Sequence, residues 1–60
     1  MKFEIRNSNS ATQPYYWRIV AANGQVLATS ETYVNKTDAR SAVDSVIANA
    51  GTATVVDHSQ

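Results

Sequence analysis

The residues of this chain that could take part in chemistry are few and scattered. The single histidine, His58, follows Asp57 near the C-terminus. Adjacent residues of a strand point to opposite faces, so Asp57 is poorly placed to orient His58 as a general base. Ser30 is followed by Glu31, but no base is placed to activate the Ser30 hydroxyl. The sequence therefore predicts no catalytic residue, and we expect a protein that is not an enzyme.

Metal and phosphate sites are equally weak predictions. The chain has no cysteine, and its carboxylates lie at spacings that do not suggest a ligand set. Those carboxylates are Glu4, Glu31, Asp38, Asp44 and Asp57. Gly24 and Gly51 are isolated, so no glycine-rich loop is present to hold a phosphate. We expect neither a metal nor a cofactor.

A mixed face of the predicted sheet is the remaining place for binding. Exposed aromatic rings beside arginines can stack bases, and Tyr16 has Arg18 two residues away. Scattered apolar residues are also normal on a protein surface. For the apolar members of the face, the interpretation that they have no binding role is slightly favoured. The residues of this possible binding face are Arg6, Tyr16, Arg18, Val20, Leu27 and Thr29.

The elements that would position this face are organised around a hairpin between Tyr15 and Ser30. Asn23-Gly24 separates two apolar-rich runs and fits a two-residue type I′ turn. The resulting register pairs Val20 with Leu27 and Ile19 with Ala28. One face, predicted to be the core face, carries Tyr15, Trp17, Ile19, Ala21, Val26 and Ala28. The other carries Tyr16, Arg18, Val20, Ala22, Gln25, Leu27 and Thr29.

The other elements follow from periodicity. Alternation predicts a first strand over Lys2–Arg6, and the hairpin supplies strands Tyr15–Ala22 and Gln25–Ser30. Asn35 or Thr37 could cap the helix that follows. Its inward stripe is predicted to consist of Ala39, Ala42, Val43, Val46, Ile47 and Ala50. Gly51 would end that helix in the left-handed conformation. A β-branched segment, Thr52–Asp57, predicts a fourth strand, so the order is β-β-β-α-β in one α+β domain over residues 1–60.

Size and charge narrow the class further. A chain of 60 residues buries only about 60% of its unfolded surface, so it would be marginal as a monomer, and without cysteine it has no disulfide to help. The formal net charge is zero, which argues against a dedicated nucleic-acid binder and against electrostatic membrane attachment. The N-terminal residues alternate and do not form the apolar run of a signal peptide. We therefore expect a cytoplasmic protein.

The central residues resemble a known family. The residues concerned are Trp17-Arg18-Ile19, Ala21 through Glu31, Tyr33, and the helical residues Val43 to Val46 with Asn49-Ala50. They are similar to the YegP-like family of small bacterial and archaeal domains of unknown function. The resemblance implies β-β-β-α-β units that occur in pairs, share one sheet and exchange their C-terminal strands. For a chain with a single unit it implies a homodimer.

The residues of the exchanged strand would be Thr52, Ala53, Thr54, Val55, Val56 and Asp57. The resemblance carries over no catalytic residue, and Val20 stands where members of the family commonly carry a lysine. The expected function is that of a homodimeric structural or protein-interaction module, with itself and possibly another protein as partners. The alternative is a module that binds a ligand or nucleic acid on the open sheet face.

Overall fold

Three antiparallel strands and one helix form where the alternation and the helical spacing predict them. The computed structural model describes residues 1–60. Its elements are β1 (Lys2–Asn7), β2 (Tyr15–Val20), β3 (Val26–Thr29), α1 (Lys36–Asn49) and a 3₁₀ turn (Ala50–Thr52). The sheet order is β1-β2-β3, so β2 is the central strand. The predicted α+β class is confirmed to this extent. No helix has both the length and the apolar character needed to cross a membrane.

Strands β1 and β2 pair in a regular register that fixes the two faces of the sheet. Phe3 lies opposite Ile19 and Ile5 lies opposite Trp17, while Glu4 lies opposite Arg18. Cross-strand partners share a face, so Val20 lies on one side, whereas Phe3, Ile5, Trp17 and Ile19 gather on the other. On that side the rings of Phe3 and Trp17 are tilted, with centroids 6.0 Å apart.

The hairpin between β2 and β3 differs from the prediction. The amide of Ala21 donates to the carbonyl of Gln25 (2.8 Å), and the amide of Gly24 donates to the carbonyl of Ala21 (2.9 Å). These bonds enclose a three-residue loop, in which only Gly24 has a positive φ, of +86°. The prediction of a type I′ turn was wrong. Such a turn requires Asn23 as well as Gly24 to adopt the left-handed region, and this conformation costs free energy for a residue that has a side chain.

The longer loop shifts the register at the turn. Val20 pairs with Val26, not with Leu27, whereas Ile19 pairs with Ala28 as predicted. Leu27 is therefore an extra residue on β3, which is the arrangement of a β-bulge. The shift also moves Val26 from the predicted core face to the face of Val20, since paired residues share a face.

Helix α1 begins where it was predicted to begin. Asn35 is the N-cap residue with an extended backbone, although its side chain makes no capping hydrogen bond, and Asp38 lies in the first turn near the positive end of the helix dipole. Arg40 and Asp44 form an ion pair one turn apart on the helix, with Nε and Oδ1 3.0 Å apart. Gly51 does not take the left-handed conformation and lies instead in the 3₁₀ turn.

The C-terminal segment does not form a strand in the single chain. After the 3₁₀ turn, Ala53–Gln60 has no regular secondary structure and every residue is exposed. Val55 is 94% exposed and Val56 is 70% exposed. A strand needs a neighbour to satisfy its backbone groups, and no strand of the same chain takes this place. The prediction of a fourth strand within one chain over Thr52–Asp57 is therefore not met.

The interior of the single chain is small. Only Val20, Ala39 and Val43 are buried among 60 residues. Helix α1 packs against β2 and β1 and does not reach β3, whose residues are all exposed. Val26 and Ala28 were therefore wrongly predicted to be core residues. Val20 was wrongly predicted to face outward: it lies on the central strand, opposite Lys2 and Val26, and is 5% exposed.

Candidate functional site

Four of the six predicted binding residues lie together on one face of the sheet. Glu4 pairs with Arg18, and Arg18 pairs with Thr29. Two residues away along β1 and β2, Arg6 pairs with Tyr16. Alternation places these residues on the side of the sheet opposite Trp17. We call this surface the Tyr16 face, and its residues are Glu4, Arg6, Tyr16, Arg18 and Thr29.

The charges of the Tyr16 face converge on one carboxylate. Oε1 of Glu4 lies 2.6 Å from Nε of Arg18 and 3.4 Å from NH1 of Arg6, and Oε2 lies 3.4 Å from Nζ of Lys2. The hydrogen bond from Arg18 is the largest cause that lowers the pKa of Glu4 below its usual value of 4.5. One negative charge is therefore shared by three cations, and the cluster carries a formal charge of +2.

An open groove lies at the end of this face where β1 ends and β2 begins. It holds about 340 Å³. Its lining combines the loop after β1 with the segment after β3 and one aromatic ring, and no lining residue carries a charge. The lining residues are Asn7, Ser8, Asn9, Tyr16, Thr29, Ser30 and Thr32.

Several of the groove residues are held in place by hydrogen bonds. The hydroxyl of Ser8 donates to the carbonyl of Gln13 (2.6 Å), and the hydroxyl of Thr32 donates to Oε1 of the same Gln13. The hydroxyl of Ser30 donates to the carbonyl of Glu31 (2.7 Å) and accepts from the amide of Trp17 (2.9 Å). These bonds tie the loop after β1 to the segment after β3, which fixes the walls of the groove.

The two remaining predicted residues do not share this surface in the expected way. Val20 is buried, so its side chain does not contribute to an exposed face. Leu27 is 56% exposed but occupies the bulge of β3 and has no cross-strand partner. The apolar pair of Val20 and Leu27 proposed from the sequence is therefore absent.

Two features of the site escaped the sequence reasoning. Glu4 was considered only among the possible metal ligands, although alternation along the predicted first strand places it on the same face as Arg6. The groove was not anticipated, because its polar residues come from Asn7–Asn9 and Ser30–Thr32, which are far apart in the chain. A register between the first two strands would have placed Glu4 beside Arg18, but the sequence offers no turn signal that fixes this register across a loop of this length.

The residues considered for catalysis are not assembled. The hydroxyl of Ser30 is engaged with backbone groups, and His58 is exposed in the C-terminal segment. The carboxylate of Asp57 accepts hydrogen bonds from the hydroxyl and the amide of Ser59, which lower its pKa. No three side chains of His, Cys, Asp or Glu come together in a group that could hold a metal ion.

A comparison with protein families identifies the chain. The profile of DUF1508, described as a domain of unknown function, matches residues 10–57. This chain belongs to the DUF1508 family. The family is the YegP-like one, so the resemblance seen in the sequence is confirmed. No curated protein matches the chain.

The extent of the match bears on the architecture of this DUF1508 domain. The matched residues include β2, β3, α1 and the segment up to Asp57. The family pattern therefore continues through Ala53–Asp57, which has no regular structure in the single chain. Glu4 and Arg6 lie before the matched residues, whereas Tyr16, Arg18 and Thr29 lie within them.

Proposed function

We propose that the chain works as a strand-exchanged homodimer, with a non-enzymatic role as a structural or protein-interaction module. The observation that carries this proposal is the excess surface of the single chain. A folded monomer of 6.5 kDa is expected to expose about 3,800 Å², whereas this chain exposes 4728 Å². The excess of about 900 Å² is close to the roughly 800 Å² that each partner buries in a standard interface.

The dimensions of the chain support the same proposal. A compact domain of this length has a radius of gyration of about 10 Å, and the value here is 13.0 Å. The C-terminal segment accounts for exposed apolar area, since Val55 and Val56 are largely exposed. β-branched residues favour a strand, and this segment becomes one only when a neighbour supplies hydrogen bonds.

Strand β3 is the edge that best suits a strand from a second copy. Its four residues, VLAT, are exposed and uncharged, and α1 does not cover it. The opposite edge, β1, carries Lys2, Glu4 and Arg6, and charges on an edge strand discourage pairing. We therefore place Thr52–Asp57 of one copy beside β3 of the other. The turn in which Ser59 bonds to Asp57 would close that strand at the predicted end.

Light scattering of the full chain over a dilution series tests the proposal. We expect a mass twice that of one chain at high concentration, and the chain with Val55→Asp and Val56→Asp to fall to the single mass at the same concentration. Val34→Asp is the matched control, because Val34 is also an exposed valine but lies outside the segment. A single-chain mass for the unaltered protein at every concentration would overturn strand exchange.

A second candidate function is ligand binding on the Tyr16 face. The observation in its favour is the groove, which brings Tyr16 and Thr29 together with polar residues from two distant segments. The net charge of the chain is zero, and the cations of this face share Glu4, so nucleic acid is the less favoured ligand. Titration of a dye-labelled oligothymidylate with the full chain, followed by fluorescence anisotropy at two salt concentrations, tests it: binding that weakens with salt would favour nucleic acid.

A further inference from the structure

The groove on the Tyr16 face has a lining whose chemistry selects a class of ligand. All seven lining residues are neutral, and six of them carry an amide or an aliphatic hydroxyl. Recognition of a phosphate or a carboxylate usually relies on arginine or lysine. The three cations nearest in the sheet, Lys2, Arg6 and Arg18, are not part of the lining and contact Glu4 instead. The lining therefore suits an uncharged, polar ligand.

The groups that are free to bind such a ligand have mixed hydrogen-bonding character. The phenol of Tyr16, the hydroxyl of Thr29 and the amide of Asn9 make no hydrogen bond within the chain, whereas Ser8, Ser30 and Thr32 are engaged. Hydroxyls both donate and accept, and an amide does both through different atoms. A ligand with many hydroxyls satisfies this set, since each of its hydroxyls also donates and accepts.

The single ring and the size of the groove add two constraints. The face of an aromatic ring is electronegative and attracts the weakly positive C–H groups of a sugar ring. Ligand sites commonly hold 300–1,000 Å³, so a groove of about 340 Å³ accommodates one small molecule. We propose that this groove binds a neutral saccharide of one or two rings, with Tyr16 as the stacking platform and Thr29 and Asn9 as hydrogen-bonding partners. This proposal rests on the second candidate function, and it is compatible with the dimer because an added strand would pair with the backbone of β3 and leave the side chain of Thr29 on the face of the sheet.

The test is a titration of the full chain with glucose and maltose, followed by amide chemical shifts. We expect shifts confined to the residues of the groove, and a dissociation constant that rises about tenfold or more in Tyr16→Ala, a change of about 1.4 kcal/mol in binding free energy. Tyr16→Phe keeps the ring and should lose less. Thr29→Ala removes a hydroxyl that makes no hydrogen bond within the chain, so it should weaken binding without disturbing the fold. Ser41→Ala, on an exposed part of α1, is the control and should leave binding unchanged.

Three results would overturn the saccharide proposal. The first is that neither sugar changes the amide chemical shifts of the groove residues, even at sugar concentrations well above the dissociation constants typical of weak binding. The second is a set of shifts that Tyr16→Ala and Thr29→Ala leave unchanged. The third is a response of the groove to oligothymidylate in the absence of any response to sugar, which would leave a binding face with a different ligand class. The mass measured by light scattering on the same samples shows separately whether the dimer proposal stands.

Discussion

At the scale of single residues, Glu4 is the group on which the most interactions depend. Its carboxylate contacts three cations, and the shortest contact, to Nε of Arg18, is 2.6 Å. Replacement by Gln removes the charge and leaves the three cations to repel one another. We therefore expect Glu4→Gln to lower the urea midpoint at pH 7, measured at a fixed protein concentration. Glu31→Gln is the control, because Glu31 is exposed and takes part in no ion pair.

The same residue predicts a pH dependence with a definite sign. The pKa of Glu4 is lowered in the folded chain, mainly by the hydrogen bond from Arg18. The folded state therefore binds its proton less readily than the unfolded state. The stability that Glu4 contributes is present above its usual pKa of 4.5 and is lost as the pH falls through the lowered value. The free energy of unfolding, measured by urea denaturation between pH 6 and about pH 3, should fall less steeply with decreasing pH for Glu4→Gln than for the unaltered chain.

Asp57 adds a second, separable part to this acid dependence. Its pKa is also lowered, by hydrogen bonds from Ser59. Ser59→Ala removes the hydrogen bond that the Ser59 hydroxyl donates to Asp57. It should reduce the pH-dependent stability that Asp57 contributes and leave the contribution of Glu4 unchanged. If the free energy of unfolding fell equally steeply with pH in the unaltered chain and in Glu4→Gln, that result would contradict the assignment of the main pH dependence to Glu4.

At the scale of elements, the hairpin loop depends on one glycine. Gly24 has a φ of +86°, which a residue with a Cβ adopts at a cost, although a Cβ there would meet no atom within 4 Å. Gly24→Ala should therefore destabilise the chain by about 1–3 kcal/mol through backbone strain alone. The measurement is the free energy of unfolding in urea.

Gly51 provides the matched comparison for Gly24. It also has open space around its Cα, but its φ is not in the left-handed region. Gly51→Ala should be neutral or stabilising by about 0.4–1 kcal/mol, since alanine has fewer conformations to lose on folding. Equal effects of the two substitutions would show that the loop does not have the conformation described here.

The contact between helix and sheet makes a further prediction at this scale. Ala39 is 0% exposed, so there is no space for a larger side chain where α1 packs against the sheet. Ala39→Leu should cost about 1–3 kcal/mol by overpacking. Ala48→Leu is the control, because Ala48 is exposed on the same helix. Thermal unfolding should show a clear loss for the first variant and little change for the second.

The elements also show how far sequence reasoning reaches. Alternation and helical spacing predicted the strands and the start of α1, because each depends on neighbours in the chain. The same reasoning failed at Leu27, since a bulge is set by the pairing of two strands and not by one. It failed at Val20 because burial depends on position within the sheet as well as on alternation. The groove was missed for a related reason, as its walls meet only after folding.

At the scale of the whole molecule, the C-terminal segment is the feature that a single chain leaves without a structural role. The amides of Thr54, Val55 and Val56 make no hydrogen bond, and both valines are exposed. The strand-exchange proposal gives alternate amides of this segment partners on β3 of the second copy, since successive amides of a strand point to opposite sides. Their protection from hydrogen exchange therefore becomes a direct measure of the proposal, because an amide exchanges slowly only when its hydrogen bond must first open.

We expect alternate amides of this segment, either Val55 alone or Thr54 and Val56 together, to exchange slowly at high concentration and faster on dilution, because the dimer that protects them dissociates by mass action. The amide of Thr12 is the control, since it makes no hydrogen bond and lies in the exposed loop before β2, so its exchange should be fast at every concentration. Exchange at Thr54–Val56 that matches Thr12 throughout would contradict the exchanged strand. The Val55→Asp, Val56→Asp chain should show that fast rate at all concentrations, because charged side chains remove the apolar contact that holds the segment on the second copy.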